Sequence, residues 1–253
     1  MQWSDDAIVL SLRPHGETAG ILELLTRKHG RHLGVVHGCS SSRIRGALQP
    51  GNRLNVTWRA RIAEHLGVVE SELMSARAPL FFERRSSLTG LNAAIAVAAA
   101  VLPEREPHEA AYEGSDALLD AISGGDLAGW GALFVYWELG LLHELGFGLD
   151  LSACAVTGMT DDLIYVSPRS GRAVSRAGGE NYRDRLLALP QFLLGPGIDA
   201  DMAGIAAGLQ LTAHFLARWV LNPYGKEIPF ARQRLADLAV RARSASVVVS
   251  KFA

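Results

Sequence analysis

The stretch Arg53-Leu54-Asn55-Val56-Thr57-Trp58-Arg59-Ala60-Arg61 alternates apolar and polar side chains over its whole length. Its apolar positions are Leu54, Val56, Trp58 and Ala60, and its polar positions include three arginines. A period of two predicts a β-strand with one face against a core and the other in solvent. The pattern therefore predicts a sheet with a basic outer surface.

Four further runs with β-strand character accompany this strand, at residues 8–12, 21–26, 32–37 and 66–73. Turn residues separate them, as at Pro14-His15-Gly16 and His29-Gly30. Short strands so close together in sequence are typical of a small closed barrel, and the five-stranded oligonucleotide/oligosaccharide-binding (OB) barrel is the commonest basic example. We therefore predict an OB-type β-barrel in residues 1–79.

After Pro79 the pattern changes from alternation to helical spacing. The residues that carry it are Leu88, Leu91, Ile95 and Leu102 in one predicted helix, and Trp130, Phe134, Trp137, Leu141 and Leu145 in another that Gly146 and Gly148 end. Two more helices are expected at about residues 201–221 and 231–243, with a frayed tail from residue 244. The predicted fold class is α+β, in which an α-helical domain over residues 80–253, with a finger-like, loop-rich insert at 150–180, follows the barrel.

Charge is unevenly distributed along a chain that is near neutral as a whole, with 25 basic and 26 acidic residues. Residues 24–63 contain no Asp or Glu. Their basic residues are Arg27, Lys28, Arg31, Arg43, Arg45, Arg53, Arg59 and Arg61. A surface of one sign concentrates polyanions, of which nucleic acid is the commonest in a cell. We predict that these eight side chains bind phosphates, in preference to the alternative of an ordinary solvated strand face.

Two local features refine this prediction. The segment of residues 40–46, SSSRIRG, is typical of a flexible loop, which would lift Arg43 and Arg45 off the barrel. Trp3 and Trp58 are the only aromatic residues before Phe81, and Trp58 is expected in the core because it shares the apolar face of its strand. With so few rings for stacking on bases, the barrel should hold the backbone, discriminate little between sequences and tolerate duplex.

Motifs for catalysis or metal binding are weak. Cys154 is followed by Thr157 where a local zinc site would need a ligand, and His143-Glu144 is followed by Phe147 where a zincin helix needs histidine. Asp161-Asp162 suits a metal-dependent nuclease, but a turn into a strand at residues 163–166 explains the pair more simply. We therefore predict a protein that is not an enzyme and binds no cofactor or metal.

The role of the arginines in the insert and the cellular location of the protein are two further points. In the insert, Arg169, Arg172 and Arg176 fit either a secondary DNA contact or a solvated hairpin. The chain has two widely separated cysteines and an acidic N-terminal segment, and its longest apolar run, residues 88–102, is too short for a bilayer. These features predict a soluble, cytoplasmic protein without membrane contact.

Several longer segments carry a likeness to a known family. They are LRPHGET at residues 12–18, TRKHGR at 26–31, GCSSSRIRGALQP at 38–50, ELGLLHELGFG at 138–148, CAVTG at 154–158 and YVSPRSG at 165–171. Together they resemble the bacterial DNA repair protein RecO family, and GALQP is the most specific piece. The likeness extends over nearly the whole chain.

The resemblance implies a non-enzymatic mediator of DNA repair and recombination. Such a protein would bind single- and double-stranded DNA, anneal complementary strands and, with its partner RecR, help to load RecA onto DNA coated by single-strand-binding protein (SSB). The helical domain would recognise the acidic, apolar C-terminal tail of SSB.

The chain departs from the family pattern in two places. Some members carry a four-cysteine zinc finger, of which only Cys154 is present here. Other members have arginines just before the pair Glu138-Leu139, where this chain has Val135-Tyr136-Trp137. The contact with the SSB tail would therefore be weaker or use other residues, with Arg218 and Lys226 as candidates because they are basic and in the same domain.

Other classes of function stay open at this point. An RNA-binding OB-fold adaptor in translation or RNA processing would use the same barrel chemistry, and a preference for the 2′-hydroxyl would distinguish it. A nuclease would cleave an oligonucleotide in a metal-dependent way. An adaptor could also use the basic segment to bind an acidic protein.

Overall fold

The computed structural model describes residues 1–39, 41–62, 64–195 and 197–250, the last six of these by backbone alone. Backbone contacts divide the chain into two compact units, Met1–Gly124 and Gly125–Ala253. The first unit contains a β-barrel and three helices that follow it, and the second contains helices and a small sheet.

The barrel consists of five strands, which confirms the predicted OB-type fold class. They are β1 (Gln2–His15), β2 (Ala19–Thr26), β3 (Gly30–His37), β4 (Arg53–Arg59) and β5 (Val68–Ser75). Their order around the barrel is β1-β2-β3-β5-β4, and β4 closes the ring by pairing with β1. All neighbours are antiparallel except β3 and β5, which meet in parallel at Val35 and Val68.

The alternation in β4 produces the predicted core face. Leu54 and Val56 are fully buried, and Trp58 is 2% exposed while its indole Nε1 donates a hydrogen bond to the Leu66 carbonyl at 2.9 Å. Burying these side chains stabilises the barrel by roughly 2 kcal/mol each. The strand ends at Arg59, so Arg61 lies in the segment that follows it.

Strand β1 is longer than the predicted run at residues 8–12. Its first half, from Gln2 to Ile8, pairs with β4, and its second half, from Ala7 to His15, pairs with β2. A bulge between Val9 and Ser11 marks the bend between the two halves. Such a bulge lets one strand serve two sides of a small barrel.

The prediction of a flexible loop before β4 is wrong, because a short helix α1 (Ser42–Ala47) forms there. Ile44 packs against the barrel core, and the buried Leu48 follows the last helical turn. The amide of Asn52 donates hydrogen bonds of 3.0 Å to both the Gly46 and the Ala47 carbonyls. These contacts hold the helix on the barrel. Ser40, the first residue of the predicted loop, lies outside the described residues.

Three helices complete the first unit: α2 (Ala78–Phe81), α3 (Arg85–Val101) and α4 (Glu109–Gly124). Helix α3 confirms the prediction from residues 88–102. Helix α4 was not predicted, although Tyr112, Leu119 and Ile122 give it a buried face at helical spacing. The opposite face carries acidic residues.

Among its described residues, the second unit contains four α-helices: α5 (Leu127–Glu144), α6 (Arg176–Gly179), α7 (Met202–Phe215) and α8 (Phe230–Ser250). Helix α5 matches the predicted aromatic stripe, and Gly146 follows it with a φ of 84° that favours glycine. The predicted single helix over 201–221 is instead α7 followed by a π-helical stretch, Leu216–Leu221. The tail predicted to fray from residue 244 continues α8 to Ser250, and residues 251–253 lie outside the described part of the chain.

The insert forms a three-stranded antiparallel sheet in the order β7-β6-β8, from β6 (Leu163–Val166), β7 (Ala173–Ser175) and β8 (Leu187–Ala188). Strand β6 confirms the predicted strand after Asp161-Asp162, and Asp162 occupies the turn with a φ of 48°. Across the described residues, no helix has the length and apolar character that crossing a membrane requires.

A buried ion pair joins three helices of the second unit. Glu138 on α5 and Arg232 on α8 are both 0% exposed, and the guanidinium donates bonds of 2.6 Å and 2.8 Å to the two carboxylate oxygens. Arg232 also donates to the Leu209 carbonyl on α7 at 2.7 Å, and the Thr212 hydroxyl donates to Glu138 at 2.5 Å. Glu138 is thus a structural residue whose charge is fully compensated.

Candidate nucleic-acid interface

Four of the eight predicted phosphate-binding residues form ion pairs with carboxylates of the same chain. Arg27 contacts Glu109 at 2.8 Å and Glu113 at 2.6 Å. The other pairs are Arg31 with Glu23 at 2.7 Å, Arg53 with Asp6 at 3.0 Å and Asp116 at 3.3 Å, and Arg59 with Glu70 at 3.3 Å. Residues 24–63 contain no acid in sequence, yet acidic side chains from other segments reach half of their cations.

Three of these six carboxylates belong to an acidic stripe on α4. Its members are Glu109, Glu113, Asp116 and Asp120, which recur every three or four residues and so share one helix face. Glu109 and Glu113 hold Arg27, while Asp116 lies between Arg53 and the buried Arg77. The stripe neutralises the side of the barrel on which it lies.

The paired arginines also have structural contacts that limit their freedom. Arg31 is 18% exposed, and its Nε donates to the Leu102 carbonyl at 3.0 Å. Burial alone would raise the pKa of Asp6, but hydrogen bonds from Asn55 and Arg53 hold it below its ordinary value. A carboxylate that stays ionised keeps Arg53 occupied near neutral pH.

The remaining four predicted cations are exposed and unpaired. Lys28 follows β2, Arg43 and Arg45 lie on α1, and Arg61 follows β4. Within the part of the chain that the structure describes, no carboxylate forms an ion pair with any of them. These four retain their full charge for a ligand, and they define the "unpaired cations" of the barrel.

Sequence reasoning missed one further basic group. Arg13 and His15 are exposed at the end of β1, and His37 is exposed at the end of β3. Arg13 lies outside the acid-free segment, so local charge composition does not identify it. Its place beside the turn residues Pro14-His15-Gly16, where β1 leads into β2, is the feature that indicates an exposed position.

The barrel offers no free aromatic ring for a base among its described residues. Trp3 stacks on His29 with ring centroids 4.0 Å apart and an interplanar angle of 7°, and it also contacts the rings of His32 at 5.0 Å and Trp58 at 5.6 Å. His29 is itself fixed by Asp5, 2.9 Å from its Nδ1. Both tryptophans are therefore engaged within the barrel.

Of the three arginines of the insert, Arg172 and Arg176 form ion pairs, and Arg169 is exposed. Arg172 pairs with Asp150 at 3.2 Å and Arg176 pairs with Asp162 at 3.2 Å, each with both partners exposed. Exposed pairs of this kind are screened by solvent and contribute little to stability. Asp162 pairs with Arg176 and occupies the turn before β6, and these two structural roles explain its presence without a metal site.

Cys154 is buried in a turn whose polar hydrogens surround its sulfur. The Sγ accepts hydrogen bonds from the amides of Val156 and Thr157 at 3.4 Å, and from the amide and hydroxyl of Ser175 at 3.2 Å and 3.3 Å. Burial acts to raise the pKa of the Cys154 thiol, but these hydrogen bonds lower it to about 6. Within the described ranges, no cluster of three or more His, Cys, Asp or Glu side chains could hold a metal ion.

The segment before Glu138-Leu139 is mostly buried. Val135 is 0% and Trp137 is 6% exposed, whereas Tyr136 is exposed and donates its hydroxyl hydrogen to the Phe192 carbonyl. Arg218, in the π-helical stretch, and Lys226 are exposed on the same unit. Of the three residues that stand where the resemblance expects arginines, Val135, Tyr136 and Trp137, Tyr136 alone is exposed at the surface.

Comparison with known proteins adds a family assignment to this geometry. Residues 1–77 match the family model described as "Recombination protein O N terminal", and residues 83–227 match "Recombination protein O C terminal". Proteins called "DNA repair protein RecO" are similar over nearly their whole length. That of Rhodospirillum centenum is 50% identical over 97% of this chain and 98% of its own, and that of Phenylobacterium zucineum is 50% identical over 94% and 97%. The relative in Caulobacter vibrioides strain NA1000 is 47% identical over 94% of this chain and 97% of its own.

Proposed function

The chain belongs to the RecO family of DNA repair proteins, and on that premise we propose that it acts by binding DNA, without catalysing a reaction. The observation that carries the proposal is the set of unpaired cations on the barrel: Lys28, Arg43, Arg45 and Arg61. Each can neutralise a phosphate and release a counterion, which gives an affinity that falls as salt rises. Single- and double-stranded DNA would both bind, since phosphates are common to the two.

The same cations would promote annealing of complementary strands. Two strands repel each other through their phosphates, and cations that neutralise part of this charge lower the repulsion when the strands approach. A barrel without free aromatic rings leaves most base edges unoccupied, so the bases remain able to pair. Annealing then needs neither a nucleotide cofactor nor a metal.

The proposed partners follow from the family resemblance. With RecR, the protein would help to load RecA onto DNA coated by SSB, and it would act in the cytoplasm at the nucleoid. The second unit would bind the acidic, apolar tail of SSB, and exposed Arg218 and Lys226 are the basic groups proposed for its carboxylates. Residues 1–79 and 80–253 are proposed as the DNA-binding and partner-binding segments.

The test compares two double variants that lose the same charge from the same segment. Arg43→Ala with Arg45→Ala removes two unpaired cations, whereas Arg27→Ala with Arg59→Ala removes two that carboxylates already occupy. Fluorescence anisotropy of a labelled single-stranded oligonucleotide across a salt series gives the affinity and its salt slope. The first variant should flatten the slope by about 1.4, at roughly 0.7 for each lost phosphate contact, and the second should leave it nearly unchanged.

Equal effects of the two variants would contradict the assignment of the site. Wild-type protein that fails to bind DNA at low salt would contradict the function itself. An RNA competitor that displaces DNA at far lower concentration than a DNA competitor would favour the RNA adaptor. Cleavage of the oligonucleotide on addition of Mg²⁺ would favour a nuclease.

A further inference from the structure

A cleft of about 490 Å³ opens on the barrel beside α1. One wall is the end of β1 with the turn into β2, represented by Leu12, Pro14 and Ala19. The other wall is the end of α1 and the segment that follows it, represented by Arg45 and Leu48. Its volume lies within the range of about 300–1,000 Å³ that is usual for small-ligand sites.

The lining combines apolar side chains with one basic and one acidic residue and with the polar side chains of Thr18 and Gln49. The side chains of Leu12, Pro14 and Pro50 supply apolar surface, and Arg45 supplies a guanidinium that forms no ion pair with a described residue. Glu17, at the turn, is the one acidic residue in the lining. A ligand with a flat apolar part and a single anionic group fits this arrangement, with its anion near Arg45 and away from Glu17.

We propose that this cleft receives one base of single-stranded DNA while Arg45 binds the phosphate next to that base. The inference rests on the proposed DNA-binding function and adds a base-binding position to it. A nucleotide unit combines an apolar ring with an adjoining anion, and duplex DNA keeps its bases stacked and paired inside the helix. The cleft therefore favours single strands over duplex, which the phosphate contacts alone would not do.

An acidic, apolar peptide has similar chemistry, but the surroundings of the cleft favour a nucleotide. Arg43 lies on the same short helix as Arg45 and is exposed and unpaired within the described residues. Successive phosphates along a strand need successive cations, and α1 supplies them beside the cleft. The apolar walls contact a base without reading its edges, so the sequence of the strand matters little.

The reactivity of Cys39 reports directly on whether the cleft is filled, because this free cysteine lines the cleft and is half-buried. Cys154, the other cysteine of the chain, is 1% exposed and does not line the cleft. Burial raises the pKa of the Cys39 thiol, so alkylation is followed at mildly alkaline pH. Peptide mass spectrometry separates modification at the two cysteines.

The experiment measures the alkylation rate of Cys39 in the full chain with saturating oligothymidine, saturation being established by anisotropy. The rate should fall roughly tenfold, because a bound base covers most of the cleft surface. The matched control is an oligonucleotide of the same length that consists of abasic sites, which keeps the phosphates and lacks the bases. It should bind more weakly and leave Cys39 reactive.

Unchanged reactivity of Cys39 with oligothymidine bound would overturn the inference while leaving the proposed function intact, and so would equal protection by the abasic strand. Protection by an acidic, apolar peptide but not by oligothymidine would assign the cleft to a peptide. No binding of any strand would overturn the proposed function and this inference together. As a second variant, Ala19→Phe should weaken oligothymidine binding and spare the abasic strand, and equal weakening of both would count against the cleft.

Discussion

The buried pair Glu138–Arg232 allows a sharp prediction about stability. Replacing Arg232 by Met removes a guanidinium that is 0% exposed, and of the described residues it leaves the Glu138 carboxylate with the Thr212 hydroxyl alone as a hydrogen-bond partner. An uncompensated buried charge costs about 3–5 kcal/mol, and the lost bond to the Leu209 carbonyl adds about 1 kcal/mol. We therefore expect Arg232→Met to lower the free energy of unfolding of the second unit by about 4–6 kcal/mol.

A double variant that removes both charges separates the net contribution of the ion pair to stability from the cost of leaving one buried charge without a partner. Glu138→Leu with Arg232→Met removes both charges, so it should recover most of the lost stability and end within about 1–2 kcal/mol of the wild type. Urea unfolding followed by tryptophan fluorescence is suitable, because Trp130, Trp137 and Trp219 lie in the second unit. If Arg232→Met costs less than about 1 kcal/mol, or if the double variant loses as much stability as Arg232→Met alone, the reasoning is refuted.

Two predictions concern the stability of the barrel. Burial, followed by the nearby charge of Arg105, lowers the pKa of His32 to about 4 from an ordinary value of 6.5. The unfolded chain therefore takes up the proton first, and stability is complete above pH 6.5 and falls by about 1–3 kcal/mol as the pH approaches 4. The same urea assay at several pH values should show this loss, and His32→Leu should reduce it; an unchanged pH profile would contradict the assignment. Gly30→Ala should cost more than about 3 kcal/mol, because Gly30 has a φ of 67° and a Cβ would lie 2.0 Å from the Glu106 carbonyl oxygen. In its control, Gly16→Ala, the backbone φ is 69° and the added Cβ has no atom within 4 Å, so this substitution should cost only about 1 kcal/mol. Equal costs of the two substitutions would show that backbone strain, and not the clash with Glu106, causes the loss of stability.

The barrel was predictable because its strands obey simple patterns. The alternation in residues 53–61 places Leu54, Val56 and Trp58 in the core, as the burial of β4 confirms. The long β1 was not predictable in full, since pairing with two neighbours is a tertiary property. Short α1 was also missed, because Ile44 and Asn52 stabilise it through contacts with the rest of the barrel.

The candidate interface was harder to predict, since a run of sequence without acids is not a surface without acids. Arg27 and Arg53 reach carboxylates on α4, far away along the chain. The acidic stripe at positions 109, 113, 116 and 120 did carry a helical signal. Which arginines it would neutralise depends on how α4 packs, and that is settled only in three dimensions.

The most direct test of the central claim is the salt slope of single-stranded DNA binding by the wild-type protein. If Lys28, Arg43, Arg45 and Arg61 are the cations that hold phosphates, the logarithm of the affinity should fall with the logarithm of salt concentration with a slope of about −3. A slope near zero would contradict phosphate binding by the barrel. A slope near about −6 would mean that the paired arginines bind phosphates as well, and would contradict the division between paired and unpaired cations.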